Sequence, residues 1–388
     1  MSPIAPPAVP QVPQPRWPGR FRRTRTFWQR VSEGKDIDDL WAQFTADARA
    51  SYGFYGKDVD WDEVESLPHW RRPPYIAKQF FWALLMKLSP ARRVLLLGTL
   101  ALFLLSSVRA NFDGFVLDAK FEWLSALLLL LLLSLELADK VTMKRDLEIA
   151  REIQTWLVPS IPPEVPGGDI AFATRPQNSV AGDYYDAFYP TVSPADGGKL
   201  MLVIADVAGK SVPAALLMAT MQASLRTVAG EDAPLDSLVP RLNRYACAHS
   251  LDGRRFTTAV LAQYEHLTGC LTYVNAGHNL PVLRRANGTL EELDKGGLPL
   301  GIESDALYET GHTCLNSGDV LILFTDGCME AFNAAGEEFG NQRWLAAIRA
   351  LPTGTAQESL SYLMRQVDQF VGTTRQSDDI TCMVFLRQ

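Results

Sequence analysis

Four carboxylates stand where apolar runs begin or end. Asp206 closes LMLVIAD, Asp326 closes VLILFTD, Asp183 closes the turn AGD, and Asp378, followed at once by Asp379, opens SDDIT before the last apolar run. A carboxylate at a strand end is rigidly aimed, and strands lying side by side can bring such ends to one point. Converging carboxylates repel, so each resists ionisation until a cation neutralises them. Oxygen donors with no His or Cys among them suit hard Mg²⁺ or Mn²⁺. Two such ions sharing a bridging aspartate could deprotonate a water and orient a phosphate for in-line attack. One aspartate at a strand end is an ordinary turn residue or helix cap. Recurrence beside several buried-type runs is what points to a metal centre.

The elements that must hold these acids lie between 159 and 388. Strand-like runs rich in Val, Ile, Thr and aromatics are KLMLVIAD (199–206), TTAVLAQYE (257–265), CLTYVNA (270–276), DVLILFTD (319–326) and ITCMVFL (380–386). Helical runs are SVPAALLMATMQASLRTVA (211–229), PLDSLVPRLNRYACAH, NQRWLAAIRAL and AQESLSYLMRQVDQF. YEHLTGCLTYVNAGHNLPVL reads as a hairpin and a turn punctuated by Gly269 and Gly277. Hairpin-linked strands accompanied by long helices predict an α+β layered sandwich and fit a doubly wound parallel sheet poorly. No GxGxxG or GxxxxGK[ST] loop is present, which weakens nucleotide binding.

Upstream the chain changes character. Residues 1–35 are a Pro- and Arg-rich tail expected to be disordered, and 36–93 form a region with several Trp and Phe but no recognisable chemistry. Two apolar runs follow, VLLLGTLALFLLSSV (94–108) and FEWLSALLLLLLLSLEL (121–137). Each is short of the roughly 20 residues of a membrane span, but flanking residues extend both. Arg92 and Arg93 precede the first run, while Lys140, Lys144 and Arg145 follow the second. The pair therefore reads as a transmembrane hairpin (94–138) of the inner membrane with both termini and the catalytic part cytoplasmic. A linker helix over 139–158 would leave it, with Met143, Leu147, Ala150, Gln154 and Leu157 on one seam. That seam is either a face packed on the next domain or a short homodimer interface.

With 388 residues, 47% of them apolar, the chain can bury a sizeable core. A net charge of −7 argues against nucleic acid as a partner. Five scattered cysteines, odd in number and without CxxC spacing, argue against a disulfide framework or structural zinc site. Reduced cytoplasmic thiols are the simplest reading.

The blocks AGDYYD, IADVAGKSVPAALLMA, TYVNAGHNLPVL, GGLPLGI, LFTDGCMEAFN and SDDITCMVF stand in an order and spacing that resembles the SpoIIE/RsbU-type branch of the metal-dependent PP2C (PPM) protein serine/threonine phosphatases. LEIAREIQTWLVP looks like the helix that leads into that domain, so the likeness covers about 140–388. The resemblance implies a PP2C-like αββα sandwich with a two-metal centre of Mn²⁺ or Mg²⁺. Carried over by position, Asp206 would bridge both ions, Asp183 and the Val207 carbonyl would hold one, and Asp326 and Asp378 the other. Asp379 would support these ligands. Asp186 either orients water or caps a turn. Tyr184 and Tyr185 are expected to be core packing. His278 is either a general acid for the leaving group or, the favoured reading, a polar residue fixing a tight turn. Ser211 can cap the following helix, though the family usually has Gly there. No counterpart is found for the phosphate-gripping Arg of the eukaryotic branch.

With the apolar hairpin as anchor, the whole reads as a membrane-tethered protein serine/threonine phosphatase, acting without a phosphoenzyme because no Cys or His stands in a nucleophile motif. The resemblance further implies that its substrate is a phosphorylated STAS-domain anti-anti-sigma factor in a partner-switching pathway. The linker helix would regulate the phosphatase. Two alternatives stay open: a non-catalytic membrane scaffold for phosphoprotein partners, and a two-metal phosphoesterase acting on small molecules.

Overall fold

A computed structural model describes Trp41, Gly56 and residues 61–388, apart from 107–108, 113–114, 119–120, 191–197, 231–232 and 251–254. The expected disordered tail and most of the region before 61 lie outside the described residues. The chain divides into two units, Met1–Ala138 and Asp139–Gln388.

The first unit contains helices α1 (Trp61–Ser66), α2 (Arg72–Lys87) and α3 (Pro90–Ser106), a hairpin of β1 (Arg109–Phe112) and β2 (Phe115–Asp118), and the beginning of α4 (Glu122–Leu157). Arg92 on α3 pairs with Glu136 on α4 at 2.9 Å. Among the described residues no helix is long and apolar enough to cross a membrane, so the expected spanning hairpin lacks support. Helix α3 has only 17 residues, about 25 Å against a hydrocarbon core of about 30 Å. Helix α4 is long, but its leucine run is bounded by Glu122 and interrupted by Glu136 and Asp139. The expected linker is the C-terminal part of this same 36-residue helix.

The second unit is a four-layer α/β/β/α sandwich. Its first sheet runs β10-β7-β6-β5-β4, and β11 also pairs with β7. These strands are β4 (Tyr184–Phe188), β5 (Leu200–Val207), β6 (Thr257–Glu265), β7 (Cys270–Ala276), β10 (Gly296–Gly297) and β11 (Gly311–Cys314). The second sheet runs β3-β13-β12-β8-β9, from β3 (Gly168–Arg175), β8 (Val282–Arg284), β9 (Leu290–Glu292), β12 (Val320–Phe324) and β13 (Ile380–Arg387). Helices α5 (Val212–Ala229) and α6 (Leu235–Ala248) cover the first sheet, and α7 (Gly340–Arg349) and α8 (Ala356–Val371) the second.

Strand pleating sorts the side chains into three cores. On β5, Met201, Val203, Ala205 and Val207 face α5 and α6, whereas Leu200, Leu202 and Ile204 face the other sheet. On β12, Ile322 and Phe324 face the helices, whereas Leu321 and Leu323 point between the sheets. The five strand-like runs and four helical runs expected downstream of 159 are all present, with ends shifted by a few residues. Tyr184 and Tyr185 are buried core residues: Tyr184 packs under the helices, and Tyr185 lies between the sheets, its ring centroid 4.9 Å from that of Phe172.

Helix α5 starts differently from expectation. Ser211 at its N-cap makes no side-chain capping bond and adopts φ 65°, ψ −146°. No other non-glycine residue among those described has positive φ. This region is populated almost only by Gly and costs about 1–3 kcal/mol for other residues. Ser211→Gly should therefore raise stability by about 1 kcal/mol or more, read as an increase in Tm; an unchanged or lower Tm would show that the loop is not strained.

Candidate metal centre

The pleat that builds the inter-sheet core also aims the acids. Tyr184 pairs with Ala205 in the antiparallel β4/β5 ladder, which sets Asp183 across from Asp206 just beyond the end of β4. Both have the parity of the inward-facing Tyr185 and Ile204. In the second sheet Phe324 pairs with Cys382, so Thr325 and Thr381 come next on the inward face. Thr325 Oγ1 donates to Asp183 Oδ2 at 2.9 Å, joining the end of one sheet to the end of the other. Asp326 begins the 3-10 turn that follows. Asp378 and Asp379 precede β13.

Two glycines let these segments meet. A Cβ on Gly327 would lie 1.9 Å from the Asp379 carbonyl oxygen, so only Gly allows the turn after Asp326 to sit against the 378–379 loop. A Cβ on Gly182 would lie 3.3 Å from the Val207 carbonyl oxygen and 3.7 Å from Asp206 Oδ1. The carbonyl expected to assist Asp183 is therefore beside the Asp183 loop.

Asp379 holds that loop in place. Its two oxygens accept the backbone N–H groups of Gln177 and Gly182, each at 2.6 Å. Gln154 on α4 fastens the same loop, donating to the Ala181 carbonyl at 2.7 Å and accepting the Ala181 N–H at 2.9 Å. His278 is buried, with Nδ1 2.7 Å from Thr258 Oγ1 and Nε2 3.1 Å from the Phe324 carbonyl oxygen. It thus ties the first sheet to the strand end that carries Asp326. Burial lowers its pKa to about 4, so it is neutral near pH 7. With Nε2–H donated to the Phe324 carbonyl and Nδ1 paired with Thr258, both nitrogens are committed within the protein, and His278 acts as a brace rather than a general acid.

Asp186 is neither water ligand nor turn cap. It is fully buried, accepts two bonds of 2.8 Å from Arg226 on α5 and one of 2.6 Å from Tyr184 Oη, and faces away from the other acids. Arg226 in turn lies over the Phe188 ring at 3.7 Å.

The electrostatics of the remaining acids are those of a site short of positive charge. Burial raises the pKa of Asp183 well above the usual carboxylate range, and Asp206 adds to this. Asp206 is pushed up to about 7 by burial, then by Asp326, Asp378 and Asp379. Burial and Asp378 raise Asp326, and burial raises Asp379. Lys210 answers part of this field: its Nζ is 2.9 Å from Asp378 Oδ2 and 3.0 Å from the Ser377 carbonyl. Among the described residues no three His, Cys, Asp or Glu side chains converge closely enough to hold an ion between them. The donor set nevertheless fits a hard dication in kind: all-oxygen, crowded and partly buried, with an ammonium drawn into it.

These shifts fix a sign for pH dependence. Without metal, the folded chain keeps protons on Asp206 up to about pH 7 that the unfolded chain releases near 3.8. The metal-free protein therefore gains stability from this group as pH falls through 7. A bound dication must displace those protons, so Mn²⁺ affinity should fall by up to about tenfold per pH unit below 7. Calorimetry in buffers of differing ionisation heat should show proton release at pH 6 that diminishes at pH 8; pH-independent binding would contradict the assignment.

The sequence did not reveal Thr325, Gln154, Lys210 or Arg226 as partners in this region. A Thr between an apolar run and Asp326 was the one local hint.

Residues 196–388 match the family model described as Stage II sporulation protein E (SpoIIE), a match that includes Asp206, Val207, Asp326 and Asp378 and begins after Asp183. Phosphoserine phosphatase RsbU of Bacillus subtilis is 30% identical over 188 residues, 48% of this chain and 54% of that protein. Protein IcfG of Synechocystis sp. is 26% identical over 282 residues, 66% of this chain and 43% of that protein. The chain thus spans about half the length of the curated relatives it matches. The SiaA-PP2C domain of Pseudomonas aeruginosa superposes with a TM-score of 0.55 at 21% identity, covering 65% of this chain and 99% of that one. That likeness shows a shared PP2C-like α+β fold.

Proposed function

The chain belongs to the SpoIIE/RsbU-type branch of the PP2C phosphatases through its domain at 196–388, and from that premise we propose that it is a metal-dependent protein serine/threonine phosphatase. The observation that carries the reading is the gathering of Asp183, Asp206, Asp326, Asp378 and Asp379 at one end of the two sheets, where burial and neighbouring carboxylates raise the proton affinities of Asp183, Asp206, Asp326 and Asp379. Asp206 would be shared between two ions, Asp183 and the Val207 carbonyl would complete one, and Asp326 and Asp378 the other. Bound Mn²⁺ or Mg²⁺ would supply Lewis acidity toward water and the phosphoryl group. The chain's own contribution is positioning. Asp379 and Gln154 set the loop of Asp183, Thr325 fixes the Asp183 carboxylate, and His278 spaces Asp206 from Asp326. Lys210 would leave Asp378 once metal neutralises it.

The proposed substrate is a phosphorylated STAS-type protein of a partner-switching pathway. Support for a protein substrate comes from the kinship with RsbU and from the partial exposure of the Lys210 and Asp378 side chains, which leaves that side of the site accessible to a large partner. Phosphate release by the full chain with Mn²⁺ should favour a phosphoserine STAS protein over an aryl phosphate in kcat/KM. Faster turnover of the aryl ester would favour the small-molecule phosphoesterase, and no release from either would favour the scaffold.

Membrane anchoring through the first unit, with the catalytic domain cytoplasmic, is proposed on the apolar runs. Leu127, Leu130, Leu131 and Leu133 on α4 are all exposed, an arrangement that water disfavours. Recovery of the full chain in the soluble fraction after cell breakage would contradict it. The 139–157 part of α4 is proposed as the regulatory element and as a dimer seam. Gln154→Ala should weaken Mn²⁺ binding about 10-fold or more, because it frees the Asp183 loop. Unchanged affinity would remove Gln154 from the account, and unchanged sedimentation and turnover in a Leu147→Asp, Leu157→Asp variant would remove the seam.

A further inference from the structure

Cys270 and Cys314 lie directly opposite one another on β7 and β11. At the neighbouring position Leu315 donates its backbone N–H to the Gly269 carbonyl at 2.9 Å. The Gly269/Leu315 pair is thus hydrogen-bonded, and Cys270/Cys314 is the adjacent pair without ladder bonds. In such pairs the Cα atoms are about 4.5 Å apart and the side chains approach most closely, within the range a disulfide spans. The two sulfurs are 2.7 Å apart, and both thiols are free.

The surroundings favour reaction at this pair. Arg387 passes its guanidinium over Gly269 and donates to the Leu315 carbonyl. Arg285 donates to the Cys314 carbonyl at 2.7 Å. Cys314 is exposed, and Cys270 is partly so. A hydrogen bond from Cys314 lowers the pKa of Cys270, while the same bond raises that of Cys314. Cys270 is therefore the better thiolate and Cys314 its resolving thiol. The other cysteines differ: Cys328 and Cys382 are buried, and burial raises the pKa of both and of Cys247.

We propose that Cys270 and Cys314 form a redox-sensitive dithiol that closes to an intrachain cross-strand disulfide when met by a disulfide oxidant such as oxidised glutathione. The Cys270 thiolate would attack one glutathione sulfur and release the first glutathione as thiolate. Cys314, losing its proton to solvent, would then attack the Cys270 sulfur and release the second. Two electrons and two protons pass from the protein thiols, and one oxidised glutathione becomes two reduced. The bond would fasten β11 to β7 and close the loop that carries β8, β9 and β10. It forms at the end of β7 remote from Ala276 and His278, so it acts on the sheet edge rather than on the acids.

The test is a titration of the native full-length protein with oxidised and reduced glutathione, quenched by alkylation and read by intact mass and peptide mapping. The expected result is joint loss of the Cys270 and Cys314 thiols, a linked peptide pair within one chain, and reversal by reductant. In the Cys314→Ser variant Cys270 should instead accumulate as its glutathione adduct. Hydrogen exchange at the Leu315 amide should slow on oxidation of the wild type and remain unchanged in the variant. Adducts without an internal link in the wild type, links between chains, or alkylatable Cys270 and Cys314 throughout the titration would each overturn the proposal.

Discussion

Asp206→Asn lowers kcat toward a phosphoserine protein by about 10³-fold or more, equivalent to about 4 kcal/mol of transition-state stabilisation. Asn keeps the size of the side chain but offers one neutral oxygen where the account needs a charged, shared ligand. The fold should survive. Asp206 contributes repulsion toward Asp326, Asp378 and Asp379 without metal, so removing its charge relieves the metal-free protein. The expected signature is therefore paired: activity collapses while the Tm of the metal-free protein holds or rises. Loss of both together would mean that Asp206 is a packing residue and that the activity assignment does not rest on it. Single-turnover rates with saturating Mn²⁺ are the check, because they separate chemistry from substrate binding.

Arg226→Met produces the largest loss of stability, about 3 kcal/mol. Asp186 has no exposure, and Arg226 supplies its paired charge through two bonds of 2.8 Å. Removing one partner of a buried pair typically costs 3–5 kcal/mol because the other charge is stranded. The lower end applies here, since the Arg226 side chain is 41% exposed and water can partly replace it. Met keeps the aliphatic stem but also removes the guanidinium that lies over the Phe188 ring. Adding Asp186→Asn to Arg226→Met should recover part of the loss, as the stranded charge is gone. Urea unfolding of the metal-free protein measures both; a loss below about 1 kcal/mol in the single variant would show that Asp186 is not held as a buried charge.

How much of this was legible in the sequence depends on whether a feature is local. Asp206 and Asp326 were readable because a run of alternating or continuous apolar residues ends on each, and β6 and β7 were located to the residue. Strand β3 was not, since GDIAFATR mixes small and polar residues along its length. Strand β4 was hidden too, because YYDAF carries a buried aspartate whose partner Arg226 is 40 positions away. Gln154 is a polar position in an apolar seam, and its partner Ala181 is 27 positions away. The leucine block at 127–133 favoured a spanning helix on hydropathy alone, and helix α4 instead runs on without a break through Asp139 and Lys140. Cys270 and Cys314 gave no spacing signal, since their meeting depends on β11 joining the edge of β7.

The central claim is that the aspartates form a two-ion centre bridged by Asp206. Its most direct test is to count the Mn²⁺ bound by the full-length protein and by Asp206→Asn, using calorimetry with metal analysis of the dialysed protein at pH 8. The account predicts two ions per chain for the wild type and loss of at least one in the variant. No binding to the wild type, or the same two ions at the same affinity in the variant, would contradict it.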